Sequence, residues 1–180
     1  MQQESSSQVV DIDALKAQVD AEIAARLLAE ADYARHIHRR GFQVGELRLL
    51  VGMDAASEVA EMPPLFRLPG APSGVKGLAN RHGRVVPVLD LLALFGSANE
   101  RTTSTWLLVY GRGDEAVGII IDSLPDRKKF TQDDAVSLAD ITHPIALHAK
   151  AAYREGRDIW IDLDMEALFE SIFQIDSSTV

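Results

Sequence analysis

The chain has 180 residues, 47% of them hydrophobic, with no cysteine and a formal net charge of −9. That is the size of one ordinary domain with an appended helix, apolar enough to bury a core without covalent staples. The lack of thiols excludes disulfides, thiolate metal sites and cysteine nucleophiles, and the acidic balance removes the electrostatic footprint of non-specific nucleic-acid binding or of attachment to an anionic membrane.

Residues 1–10 are polar, without a basic and apolar leader, and read as a disordered tail on a cytoplasmic chain. From Asp11 the apolar positions Ile12, Leu15, Val19, Ile23 and Leu27 recur at steps of three and four, and no glycine intervenes before Gly41. The spacing predicts an amphipathic helix over 11–40, with Asp11 or Asp13 as its N-cap. Its stripe suits packing on the following domain or, alternatively, on a partner.

After Gly41 the period shortens. Phe42 to Val51 reads as two strands joined at Gly45-Glu46, and Ser57 to Met62 as an extended piece ended by Pro63-Pro64. Pro69, Gly70, Pro72 and Gly74 punctuate a loop. Val75 to Asn80 and Arg84 to Leu89 follow as strands around a turn, with Pro87 arguing for an edge or a bulge. Leu91 to Phe95 is one helical turn stopped by Gly96, and Ser97 to Ser104 is a loop. Thr105 to Tyr110 and Ala116 to Asp122 form a hairpin across Gly111 to Asp114. Pro125 to Phe130 is a strand whose basic run Arg127-Lys128-Lys129 reads as a solvated edge. Residues 131–144 are irregular, and Ile145 to Tyr153 fits a short helix or an extended run equally. Asp158 to Leu163 alternates as a strand, and Asp164 caps a helix from Met165 to Phe173. Many short strands with frequent turns indicate small barrels rather than a parallel α/β sheet. No apolar run is long enough to span a bilayer.

Signatures of catalysis are absent. There is no phosphate loop, no dinucleotide fingerprint and no nucleophile elbow. Gly111-Arg112-Gly113 is a turn, and Arg112-Gly113-Asp114 matches an adhesion tripeptide by chance. Helical metal pairs need histidines three or four apart, whereas His36 and His38, and His143 and His148, fall outside that spacing. Asp158, Asp162 and Asp164 could gather a hard cation but read better as a solvated strand face and a helix cap. The residues thus predict no catalytic residue, no cofactor and no metal, only a β-rich interaction domain.

Four segments in order carry a resemblance. SEV (Ser57 to Val59), the run RLPGAPSGVKGLANRHGRVVPVLDL (Arg67 to Leu91), AVGIIID (Ala116 to Asp122) and DIWIDLDMEALF (Asp158 to Phe169) are similar, at matching spacing, to the CheW family of chemosensory adaptors. The resemblance covers about Phe42 to Ser171. It implies a mainly β fold with flanking helices: two SH3-like five-stranded β-barrels side by side, within a CheW-like domain over 41–175. It implies a non-enzymatic adaptor that couples chemoreceptor cytoplasmic tips to the regulatory domain of a CheA-type histidine kinase, recruited to membrane arrays without inserting. The alternative is a stand-alone CheW-like interaction module. By the same resemblance Glu58 is a receptor contact, and His82 stands where the family carries an arginine at the receptor side. Ala56 and Gly77 fall on kinase contacts, and Asn80, Gly83, Pro87 and Asp90 on structural signature positions. Asp90 is expected to cap the helix that follows, and Arg81, as a strand neighbour of His82, is expected to point away. The helical leader, GFQVGELRLLV and the proline pair resemble the PilI branch of the family, which serves type IV pilus twitching.

Overall fold

The computed structural model describes residues 11–95 and 105–174. The expected polar tail, the Gly96 stop and the loop from Ser97 to Ser104 lie outside the described residues. The chain divides into two units, Met1–Ile37 and His38–Val180.

The first unit is a single helix, α1, Ile12–Arg35. The Asp11 carboxylate caps it, accepting from the backbone N–H of Asp13 at 3.1 Å and of Ala14 at 3.2 Å. The helix stops short of the expected 40, because His36 takes an extended backbone and the chain runs on as strand. No residue of α1 is buried. Alanines on every side and Leu28 off the expected stripe spread its apolar character around the axis, so the stripe is less sided than the spacing predicts.

Among the described residues the second unit holds ten strands in two sheets. One takes β1 (Ile37–Val44), β2 (Leu47–Gly52), β8 (Asp126–Phe130), β9 (Ala149–Glu155) and β10 (Asp158–Leu163), in the order β8-β1-β2-β10-β9. The other takes β3 (Ala56–Glu61), β4 (Val75–Arg81), β5 (Arg84–Leu89), β6 (Trp106–Tyr110) and β7 (Val117–Ile121), in the order β3-β6-β7-β5-β4. The chain thus opens the first sheet, builds the second and returns to finish the first. Helix α2 (Leu91–Leu94) follows β5, and α3 (Met165–Gln174) follows β10. The undecided Ile145 to Tyr153 proves to be both forms in turn, the 3₁₀ segment Pro144–His148 and then β9.

Alternation builds two cores. Phe42, Leu49 and Leu163 from the first sheet meet Leu89, Leu108 and Ile119 from the second, with Leu168 of α3, in one cluster. Each such fully buried side chain contributes about 2 kcal/mol. On the opposite face of the second sheet, Val86, Val88, Leu107, Val109 and Ile120 form a smaller cluster. Strands β6 and β7 are buried on both faces and therefore read as continuous apolar runs.

In each sheet an ion pair joins the two end strands. In the second, Glu58 on β3 meets Arg81 at the end of β4. In the first, Lys128 on β8 donates to Glu155 on β9 at 2.8 Å. The Lys128 ammonium also sits 4.4 Å from the centre of the Trp160 ring, and Phe130 stacks on Tyr153 at 4.9 Å. A Cβ on Gly41 would lie 2.7 Å from Lys128 Cγ and 2.8 Å from Trp160 Cζ3, so glycine makes room for this contact. These pairings draw the edges together and close each sheet into a small barrel. The basic run therefore needs correction. Arg127 and Lys129 are exposed at a strand edge as expected, but Lys128 turns inward and is a staple.

A pH dependence follows. Burial raises the Tyr153 phenol, the Asp162 charge raises it further, and Arg39 offsets part of this. For Lys128 burial favours the neutral amine, yet Glu155 and Asp126 outweigh it and hold its pKa above the ordinary value. Both groups keep protons in the fold that the unfolded chain gives up near about pH 10, so their stabilisation is complete below that pH and is lost as pH rises further. The urea midpoint should fall between about pH 9 and about pH 11, and Lys128→Met should shrink that fall. A midpoint flat across the interval would contradict the staple.

Candidate partner-binding site

The residues expected at the receptor side converge at one end of the second barrel. Asn80 to Gly83 form the tight turn between β4 and β5, with Arg81 opposite Arg84 in the ladder. The two central residues, His82 and Gly83, have φ of 51° and 81°, as a two-residue hairpin turn of this hand requires. Glycine takes that backbone freely. Histidine is the uncommon occupant, and Asn80 steadies the turn by accepting the Gly83 N–H at 3.0 Å.

The turn redirects both side chains. Period-two alternation holds within a strand and ends at Arg81, so His82 does not point opposite to it. Arg81 donates to Glu58 Oε1, and His82 Nε2 lies 3.2 Å from the same oxygen. The expectation that Arg81 points away is thus overturned, and Arg81 and His82 share the Glu58 carboxylate. Partial burial raises the Glu58 carboxyl, but hydrogen bonds from Arg81 and His82 and the charges behind them outweigh it and hold its pKa below the usual carboxylate range.

The other expected positions lie outside the turn. Ala56 opens β3 opposite Tyr110, with a register shift between it and Glu58. Gly77 lies on β4 where Phe66 crosses, its neighbour Leu78 exchanging both backbone hydrogen bonds with Phe66 at 2.8 Å. Pro87 pairs with Leu78 within β5, which lies between β4 and β7 and is no edge strand. The chain tolerates it because the register with β7 begins only at Val88, and the bulge lies on β4 instead. Asp90 caps α2, accepting from the N–H of Leu92 at 3.2 Å and of Ala93 at 3.5 Å.

A cavity of about 380 Å³ opens beside Glu58. Arg81, His82, Arg84 and Arg112 surround it, and Val86, Val109 and Ala116 form its apolar wall. Arg84 and Arg112 were missed in the sequence. The signal for Arg84 was available, since a hairpin with His82-Gly83 as its turn sets Arg84 opposite Arg81. Arg112 comes from a distant loop and carried none. Among the described residues no group of three or more metal-ligating side chains gathers. Of the aspartate trio, Asp158 pairs with Arg48 at 3.1 Å and Asp164 caps α3 through the Ala167 N–H at 3.0 Å. Asp162 is not on a solvated face but fully buried.

The family model of the CheW-like domain matches residues 41–173. The chain belongs to the CheW-like domain family. Among its relatives, protein PilI of Pseudomonas aeruginosa is 30% identical over 126 residues, which is 69% of this chain and 68% of PilI. Chemotaxis protein CheW of Thermotoga maritima is 22% identical over 79% of this chain and 93% of its own length. The crystal structure of scaffolding protein TtCheW from Thermoanaerobacter tengcongensis superposes with a TM-score of 0.62 at 17% identity, over 70% of this chain and 82% of that one. The two-barrel architecture is therefore that of CheW, and this CheW-like chain is a chemosensory signalling adaptor. No described helix is long and apolar enough to cross a membrane.

Proposed function

We propose that this chain is the cytoplasmic scaffold that couples chemoreceptor tips to the regulatory domain of a CheA-type histidine kinase, and that it serves a pilus-associated system of the PilI kind. The observation that carries the reading is the family match across both barrels, 41–173. The PilI assignment draws on that relative and on the helical leader α1. Glu58 and His82 are the receptor-side contacts, and Ala56 and Gly77 the kinase-side contacts. Nothing in this role needs bond-making chemistry. Two partners are held at once by one domain, each contact weak and the array supplying multivalency.

Mixing the full chain with the kinase regulatory domain and a receptor-tip fragment should give a ternary complex by analytical ultracentrifugation. His82→Arg, which sets a second guanidinium beside Glu58, should change receptor-tip affinity by about threefold or more and leave kinase affinity alone. Failure of both fragments to bind at tens of micromolar would leave the stand-alone module as the better reading.

A further inference from the structure

We propose that the cavity beside Glu58 is a carboxylate-binding pocket, in which Arg84 and Arg112 take an acidic side chain presented by the receptor tip. This rests on the scaffold reading above and names the chemistry of its receptor side.

Charge is the first ground. The whole chain is acidic at −9, yet the rim of this cavity carries three arginines and a histidine against one carboxylate. That carboxylate, Glu58, is already taken by Arg81. Arg84 and Arg112 are both exposed and hold no ion pair among the described residues. They come from different elements, β5 and the loop after β6, and are brought to one opening. A Cβ on Gly113 would stand 3.7 Å from Arg84 Nη1, so the Arg84 guanidinium lies against the loop that carries Arg112. The acidic pair Asp114 and Glu115 follows on that loop but does not line the cavity.

Shape is the second. The wall behind the rim is apolar, from Val86, Val109 and Ala116. An aspartate or glutamate has the matching form, a short hydrocarbon stem and a flat anionic head that a guanidinium fork grips with two hydrogen bonds. The volume, about 380 Å³, holds such a side chain with part of its backbone.

The test uses the full chain and a receptor-tip fragment of the cognate receptor. Binding is measured by calorimetry for the unaltered chain and for Arg84→Gln/Arg112→Gln, with each acidic residue of the fragment changed in turn to its amide. The double variant should bind the tip about tenfold more weakly and the kinase regulatory domain as before, with its thermal midpoint unchanged. One acidic residue of the tip should give the same loss and add nothing to it in the double variant. Tip binding that survives in the double variant, or losses that simply add for every acidic residue, would overturn the pocket while leaving the scaffold reading intact. An unaltered chain that binds no tip at all would overturn both.

Discussion

Arg39→Ala should destabilise the first barrel by about 3 kcal/mol, more than any surface change in the domain. Asp162 on β10 has no exposed surface. Its Oδ2 accepts from Arg39 Nε at 2.6 Å, while its Oδ1 has no hydrogen-bond partner. Lys150 stands 3.8 Å from Oδ1, half-exposed and beyond hydrogen-bond reach. The charge in the barrel therefore depends on one guanidinium, which also donates to the His38 carbonyl at 2.9 Å. Removing that guanidinium strands a carboxylate in the interior. Replacing both partners with apolar residues, Arg39→Met with Asp162→Leu, should cost far less than the single change, because neither charge is then left alone. Urea denaturation of the two single variants and the pair checks this. A loss below about 1 kcal/mol for Arg39→Ala would mean that Lys150 moves in to take over the carboxylate.

That buried pair also marks where the sequence stops being readable. Asp162 sits in DIWIDL, a strand recognisable by alternation, and alternation places Asp158, Asp162 and Asp164 on one side. A polar residue at such a spacing reads as solvated unless its partner is known, and Arg39 lies 123 positions away. Lys128 hides for the same reason, since Glu155 and Trp160 belong to strands formed later in the chain. Local features fared better. The Gly45-Glu46 turn, the Asp90 and Asp164 caps and most strand bounds depend on a few adjacent residues, and each was legible. Which strand joins which sheet was not. Periodicity predicts small barrels, but the return of β8, β9 and β10 to the first sheet is a long-range fact that no local spacing carries.

The receptor-side turn shows a subtler limit. Strand alternation predicted that Arg81 and His82 point apart, and it failed because β4 ends between them. Two residues with left-handed backbone reverse the chain there, and the rule that governs a pleated strand has no force inside the reversal. The Glu58 carboxylate still has its guanidinium, supplied one position earlier, and His82 is a second partner rather than a lost one.

Gly77→Ala carries the other large effect, a loss of about 3 kcal/mol. Residue 77 has φ of 152°, a backbone that side chains rarely adopt, and a Cβ there would fall on the carbonyl oxygen of Phe66. A rigid backbone atom gives way only if the Phe66 segment moves off β4, which breaks the two backbone hydrogen bonds that Phe66 exchanges with Leu78. Two such bonds at about 1 kcal/mol each, with the dihedral strain added, make up the figure. This bears on Gly77 as a kinase-side position. If glycine is needed only so that the segment can cross, Gly77→Ala should lose kinase binding and amide-exchange protection at Phe66 and Leu78 together. If glycine is needed so that the partner can approach, binding should fall while both amides stay protected and the urea midpoint stays in place. The crossing at Phe66 favours the first outcome, and hydrogen exchange read at those two amides decides between them.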